Sequence, residues 1–275
     1  MSGSMAVTAE HLWCAHNAKF VLRDLGFAIK RGEIAVIVGV NGVGKSTLLA
    51  TVAGAVSAAR GEVSVFGHSR RSSAASERSA RRMAVYLPDE AWLPAQMQVR
   101  EYLGAAAELF AIPTATAIDR IDALLDLFSL TGAESQSLGS LSTGQKKKVG
   151  LCSALLPDRE LLLLDEPFSG GLDPAGIVAL RRVLLNRAQK HGQTIVMTTP
   201  VAEVVAELAD RLLILRDERL AHNLDREALQ LKLGPAGMSS DSLNGLIFPD
   251  AAERVQRYLD QMPPIKHGTG KETVT

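Results

Sequence analysis

Two cysteines, Cys14 and Cys152, are all that the 275 residues contain. They lie far apart, without metal-binding or redox spacing. A disulfide framework and a zinc ribbon are therefore excluded, and free thiols in a reducing compartment are expected. Excess charge is also lacking, since 30 lysines and arginines balance 30 aspartates and glutamates for a formal net charge of +0. Nothing in that balance attracts a nucleic-acid backbone, so nucleic acid is not an expected partner. Long apolar runs are missing too. No stretch approaches the roughly 20 residues needed to span a bilayer, and the opening "MSGSMAVTAEHLW" has no charged leader ahead of an apolar core. These absences favour a cytoplasmic protein; if it works at a membrane, another chain supplies the spanning helices. What the chain has in quantity is apolar side chains, 47% of the total. At this length they can fill one α/β domain with an inserted subdomain, or two small domains.

Periodicity divides the chain. "GEIAVIVGV" (32–40) is a β-branched run ending in glycine and predicts a buried strand. "KSTLLATVAG" (45–54) predicts a helix stopped at Gly54. Upstream, "EHLWCAH" and "FVLRDLGFAIKRGE" predict antiparallel strands, and "GEVSVFG" (61–67) predicts another. The serine- and arginine-rich stretch 68–82 reads as a solvated surface loop or short helix. From 92 to 150 the period is that of amphipathic helices, which predicts an inserted helical subdomain. Strands return at "ELLLLDEP" (160–167), "QTIVMTT" (193–199) and "RLLILRD" (211–217), separated by helical segments. The expected fold is α/β: a mostly parallel sheet with flanking helices, an N-terminal antiparallel β subdomain and the helical insertion. Residues 8–220 form the expected main domain and 221–275 an extension. In that extension "FPDAAERVQRYLDQM" reads as a helix and "PPIKHGTGKETVT" as a disordered end.

Three motifs carry chemistry. "GVNGVGKST", Gly39 to Thr47, fits G-x-x-x-x-G-K-[ST] between a predicted strand and a predicted helix. Its glycines Gly39, Gly42 and Gly44, with Asn41, let backbone N–H groups turn toward phosphate oxygens at the positive end of a helix dipole. Lys45 would reach the β- and γ-phosphates, Ser46 would ligate Mg²⁺, and Thr47 completes the motif. The chain is thus expected to bind a nucleoside triphosphate. Downstream, four leucines end in Asp165 and Glu166. The first carboxylate is placed to hold Mg²⁺ through its waters, and the second to polarise an attacking water. The third motif is "LSTGQKKK", Leu141 to Lys148, about twenty residues earlier.

In this order and spacing the three motifs resemble those of the ATP-binding subunits of ATP-binding-cassette (ABC) transporters, over roughly residues 10–220. The usual signature there is LSGGQ, and Thr143 stands in place of its first glycine. The resemblance implies ATP and Mg²⁺ as cofactors. It implies a dimer with a second nucleotide-binding subunit, the same or a homologous chain, in which Ser142, Thr143, Gly144 and Gln145 meet the γ-phosphate bound by the partner. It also implies a membrane-spanning transporter subunit and a peripheral location on the cytoplasmic face. A helix cap at Ser142 is compatible with the trans role.

Other positions carry over with departures. His16 falls where the family's adenine-stacking aromatic lies, and imidazole offers less area than a phenol ring. Asp89, in "YLPDEAWLP" (86–94), takes the place of a glutamine that contacts Mg²⁺ and the attacking water. Trp92 and Leu93 would lie near the groove for a coupling helix of the membrane partner, unless they are core of the insertion. "SGGLDP" (169–174) resembles the loop linking the two sites of the dimer, with one residue more than usual, so only Asp173 carries over. Pro200, after "TIVMTT", replaces the histidine that bridges γ-phosphate and catalytic glutamate. Proline has neither a side-chain donor nor an N–H, so slow turnover is expected. "YLPDE" and "MQVREYL" look most like exporter-type segments. Two other readings stay open: a nucleotide-gated regulatory module with little turnover, and a soluble ABC ATPase not engaged in transport.

Overall fold

The computed structural model describes residues 4–261 apart from 18, 235, 236 and 238. It opens as a long hairpin, β1 (Met5–His16) and β2 (Lys19–Lys30), paired antiparallel. Next come β3 (Ile34–Val38), α1 (Lys45–Ala53), β4 (Arg60–Val65), β5 (His68–Ser69), α2 (Ala74–Arg82) and β6 (Ala84–Leu87). A helical stretch follows: α3 (Val99–Leu109), α4 (Thr114–Leu127) and α5 (Thr143–Leu155). The chain then alternates through β7 (Leu161–Leu164), α6 (Pro174–His191), β8 (Thr194–Thr198), α7 (Ala202–Leu208), β9 (Arg211–Arg216) and β10 (Arg219–Asp225). It ends in α8 (Arg226–Leu233), α9 (Ser240–Ile247) and α10 (Pro249–Gln261).

Two sheets result. One has the order β2-β1-β4-β5 and is antiparallel; the other has the order β10-β9-β3-β8-β7-β6. In the second, β9, β3, β8, β7 and β6 run parallel and only β10, at the edge, is antiparallel. The central strands "IAVIV", "LLLL" and "TIVMT" are buried at every residue, as strands covered on both faces must be. Alternation divides their side chains between two cores. Val36, Leu162, Leu164, Ile195 and Met197 face the helical insertion and α6. Ala35, Ile37, Leu161, Leu163 and Val196 face α1 and the antiparallel sheet. Each fully buried leucine of β7 contributes ~1.5–3 kcal/mol of transfer free energy.

Several expected boundaries shift. The end of the main domain at 220 falls inside β10, whose mixed "RLAHNLD" gave no clean alternation. The insertion's end at 150 falls inside α5. Leu229, Leu243 and Ile247 of α8 and α9 join the core beneath the helical face, so the first part of the 221–275 extension packs with the main domain. The stretch 68–82 closes with α2, capped by Ser73. The expected helix at "FPDAAERVQRYLDQM" is α10, whereas the end expected to be disordered, 263–275, lies outside the described residues. Both cysteines are free and buried. Burial pushes the Cys14 thiol up and the Cys152 thiol up to about 12, so neither is a ready nucleophile. Among the described residues no helix is long and apolar enough to cross a membrane.

Candidate nucleotide site

The loop between β3 and α1 is built for a close approach of backbone. Gly39 cannot carry a side chain, because a Cβ there would stand 2.6 Å from the Leu215 carbonyl oxygen. Gly44, at φ +108°, would push a Cβ to 2.9 Å from Leu22. Helix α1 then begins with no side-chain cap and no acidic residue in its first turn. Its leading N–H groups are thus left for an anion, on the positive end of the helix dipole. Lys45 is only 5% exposed. Its Nζ donates to the carbonyls of Gly39 (3.2 Å) and Val40 (3.4 Å) and lies 3.9 Å from Glu166 Oε1. Asn41, Gly42 and Ser46 are exposed beside it, and Thr47 is half-buried.

β7 delivers the two carboxylates, and β8 fixes them. Asp165 is buried, and its Oδ1 accepts a 2.6 Å hydrogen bond from the Thr198 hydroxyl. The Glu166 N–H donates to the same Thr198 oxygen at 2.8 Å. Glu166 sits at φ +44°, a left-handed conformation costly for a residue with a Cβ. Thr198 therefore ties both acidic residues to the neighbouring strand and helps hold the strained one. It was not among the residues singled out from sequence, because "MTTP" reads only as a strand end. Tyr86, at the end of β6, has its hydroxyl pushed up to about 12, first by burial and then by the nearby Asp165 carboxylate.

Thr198→Val should remove the donor to a buried carboxylate and the acceptor for the Glu166 N–H. Leaving a buried polar group unpaired costs about 1–3 kcal/mol, so the variant should lose roughly 2–4 kcal/mol in urea unfolding. A loss below ~0.5 kcal/mol would show that water replaces the hydroxyl.

A second group gathers at the start of α5. Ser142 and Gln145 form a capping box: the Ser142 hydroxyl accepts from the Gln145 N–H (3.2 Å), and the Gln145 side chain accepts from the Ser142 N–H (3.0 Å). Thr143 is exposed at the first helical position. Gly144 is required by packing, since a Cβ there would lie 2.5 Å from the Gly171 carbonyl oxygen. Lys147 and Lys148 of the same helix are buried. Lys147 Nζ donates to Asp89 Oδ1 (3.0 Å) and Lys148 Nζ to Asp173 Oδ2 (2.8 Å).

Asp173 also caps α6, accepting from the Gly176 N–H at 2.8 Å. The Lys148 hydrogen bond, and then the Gly176 N–H, hold its carboxyl below the usual aspartate range. The stabilisation this gives is present above an ordinary aspartate pKa of about 4 and is lost as pH falls through the depressed value.

The structure thus brings Lys45, Asp165 and Glu166 together, and separately joins Asp89 and Asp173 to α5. It does not bring the signature residues to the nucleotide loop. Among the described residues no hydrogen bond or ion pair links 142–145 with 39–47. His16 stands exposed at the tip of the β1–β2 hairpin, and Pro200 is exposed just beyond β8. Trp92 is 83% exposed, which removes it from the core of the insertion, whereas Leu93 packs against that core.

The donor set fits a nucleotide with its magnesium: an uncapped helix start, a buried lysine, a hydroxyl and a single buried carboxylate. Among the described residues no group of three or more His, Cys, Asp or Glu could hold a metal by itself. Mg²⁺ commonly takes one or two carboxylates and completes its shell with phosphates and water.

A family model described as "ABC transporter" matches residues 22–169. An uncharacterized ABC transporter ATP-binding protein of Nostoc sp. is 33% identical over 207 residues, 74% of this chain and 60% of that relative. A second, of Synechocystis sp., is 32% identical over 70% of this chain and 53% of its own length. The chain thus spans little more than half of these two relatives. The taurine import ATP-binding protein TauB of Escherichia coli O157:H7 is 31% identical over 85% of this chain and 88% of its own. Among solved structures, an ATP-binding subunit of an ABC transporter superposes with a TM-score of 0.78 at 29% identity, covering 88% of this chain and 99% of that one. A dimeric bacterial ABC transporter cassette is alike in fold, with a TM-score of 0.72 at 20% identity over 80% and 98%.

Proposed function

The chain belongs to the ABC transporter ATP-binding family, and from that premise we propose that it binds Mg-ATP and hydrolyses it to drive a separate membrane-spanning subunit. The observation that carries this reading is the meeting of Lys45, the first residue of the uncapped helix α1, with Glu166, just beyond β7, 3.9 Å apart. Lys45 and the α1 N–H groups would hold the phosphates, and His16 would stack on the base. Magnesium held by Ser46 and Asp165 would offset the charge of the β- and γ-phosphates. Glu166 would orient and polarise the water that attacks the γ-phosphorus while the bond to the bridging oxygen breaks, releasing ADP and phosphate.

Ser142, Thr143, Gly144 and Gln145 would complete a partner's site in trans, with Asp173 setting the loop between the two sites. The absence of any link from the signature residues to the chain's own nucleotide loop supports that assignment. The exposed Trp92 favours docking of a membrane partner over a purely soluble role, with the subunit peripheral on the cytoplasmic face. The taurine-import relative counts against letting the exporter-like segments set the direction of transport. The second reading, a nucleotide-gated module with little turnover, is favoured by Pro200.

Lys45→Ala should abolish the thermal stabilisation given by Mg-ATP. That stabilisation is about 2.7 kcal/mol at a ligand concentration one hundred times Kd. An undiminished shift in the variant would dismiss the assigned site.

A further inference from the structure

Asp89 is gripped rather than free. Lys147 Nζ donates both to its Oδ1, at 3.0 Å, and to its main-chain carbonyl, at 3.1 Å. The lysine side chain is 7% exposed and that of Asp89 46%. Ser169 Oγ lies 3.1 Å from the same Oδ1 and 2.8 Å from the Glu166 carbonyl oxygen. A hydroxyl carries one proton, so Ser169 can donate to only one of these acceptors at a time. Wherever Lys147 satisfies Asp89, the Ser169 proton is free for the Glu166 carbonyl. Without the ammonium, the charged carboxylate is the stronger acceptor and takes it. The Glu166 carbonyl, which also accepts from the Ser169 N–H at 3.1 Å, would then keep one of its two hydrogen bonds, and the turn at φ +44° would lose one restraint.

We propose that Lys147 is a positioning residue for hydrolysis: by neutralising Asp89 Oδ1 it assigns the Ser169 hydroxyl to the Glu166 turn. This rests on the ATPase reading above. The contact also joins the first turns of α5, which carry Ser142 to Gln145, to the loop of the chain's own Glu166. The close approach of Gly144 to Gly171 ties the same two segments a second time. A shift of α5 toward a partner's nucleotide therefore reaches Glu166 through hydrogen bonds, without any change in Lys45.

Lys147→Met keeps the buried stem and removes the charge, and Asp89 is already half-exposed to water where it stands, so the fold should survive. The variant should lower kcat about fivefold with ATP affinity within about twofold of wild type. Lys147→Arg should recover most of the loss. Ser169→Ala should act similarly, and the Lys147→Met/Ser169→Ala double variant should lose no more than the stronger single, because both act on one contact. Amide exchange over residues 166–171, measured without nucleotide, should speed up in Lys147→Met and not in Lys147→Arg. Unchanged exchange in Lys147→Met overturns the proposal, as do additive losses in the double variant or a loss confined to ATP affinity. A wild-type chain that binds ATP without hydrolysing it overturns the ATPase reading instead, and the exchange comparison then decides the role of Lys147 by itself.

Discussion

Glu166→Gln should lower the rate of ATP hydrolysis by ~10²–10⁴ and leave nucleotide binding intact. The amide keeps the length of the carboxylate, and the features that hold residue 166 in place are backbone ones: its N–H to Thr198 and its carbonyl beside Ser169. Lys45 loses an ion pair at 3.9 Å but keeps the Gly39 and Val40 carbonyls, so the nucleotide loop should stand. The loss therefore falls on the chemical step, and steady-state phosphate release measures it directly. With hydrolysis blocked, ATP should trap a dimer, read by size-exclusion chromatography with light scattering. Adding Ser142→Arg should abolish that dimer and leave monomer binding unchanged if Ser142 serves the partner's site as proposed. Retention of the wild-type rate in Glu166→Gln would remove the glutamate from the mechanism. A slow variant that stays monomeric with ATP would assign the second site to a homologous chain rather than to a copy of this one.

Which parts of this site were legible in the sequence follows from where their constraints lie. The candidate nucleotide loop was legible because Gly39 and Gly44 are required by close backbone or side-chain approach, and Lys45 and Ser46 follow at the start of α1. Asp165 and Glu166 were legible as the end of a fully buried strand. Thr198 and Lys147 were not. A threonine closing "TIVMT" is ordinary strand composition, and its role exists only because β8 lies beside β7 in the sheet. The lysines after "LSTGQ" carry no sequence signal of burial, and two of them are buried with Asp89 and Asp173, which arrive from loops distant in sequence.

The fold divides in the same way. β3, β7 and β8 announce themselves by unbroken apolar content. β10, with every other residue exposed at a sheet edge, does not. α8 and α9 are held by Leu229, Leu243 and Ile247, too few apolar residues to set a period.

Pro200→His should raise the ATPase rate of the purified chain by about tenfold, short of the full ~10²–10⁴ range for an acid–base group. The position can receive the side chain. Residue 200 is exposed, two residues after the end of β8, and the turn around it is held by Thr199, whose hydroxyl accepts from the Val201 N–H at 3.2 Å. None of those restraints needs proline, and the N–H that histidine adds can reach water. Proline fixes φ near −65°, so part of the possible gain is given back as loop freedom. Two signatures separate a gain by the imidazole from a gain by loosening. The rate enhancement should titrate with an apparent pKa near 6.5, the ordinary value for histidine, and Pro200→Ala, which loosens the loop without adding a donor, should leave the rate within about twofold of wild type. On the proposed mechanism Glu166 would supply the carboxylate in either case, so Glu166→Gln in the Pro200→His background should cancel the gain. Brisk hydrolysis by the wild-type chain, or a Pro200→Ala rate equal to that of Pro200→His, would mean that the missing imidazole does not limit turnover.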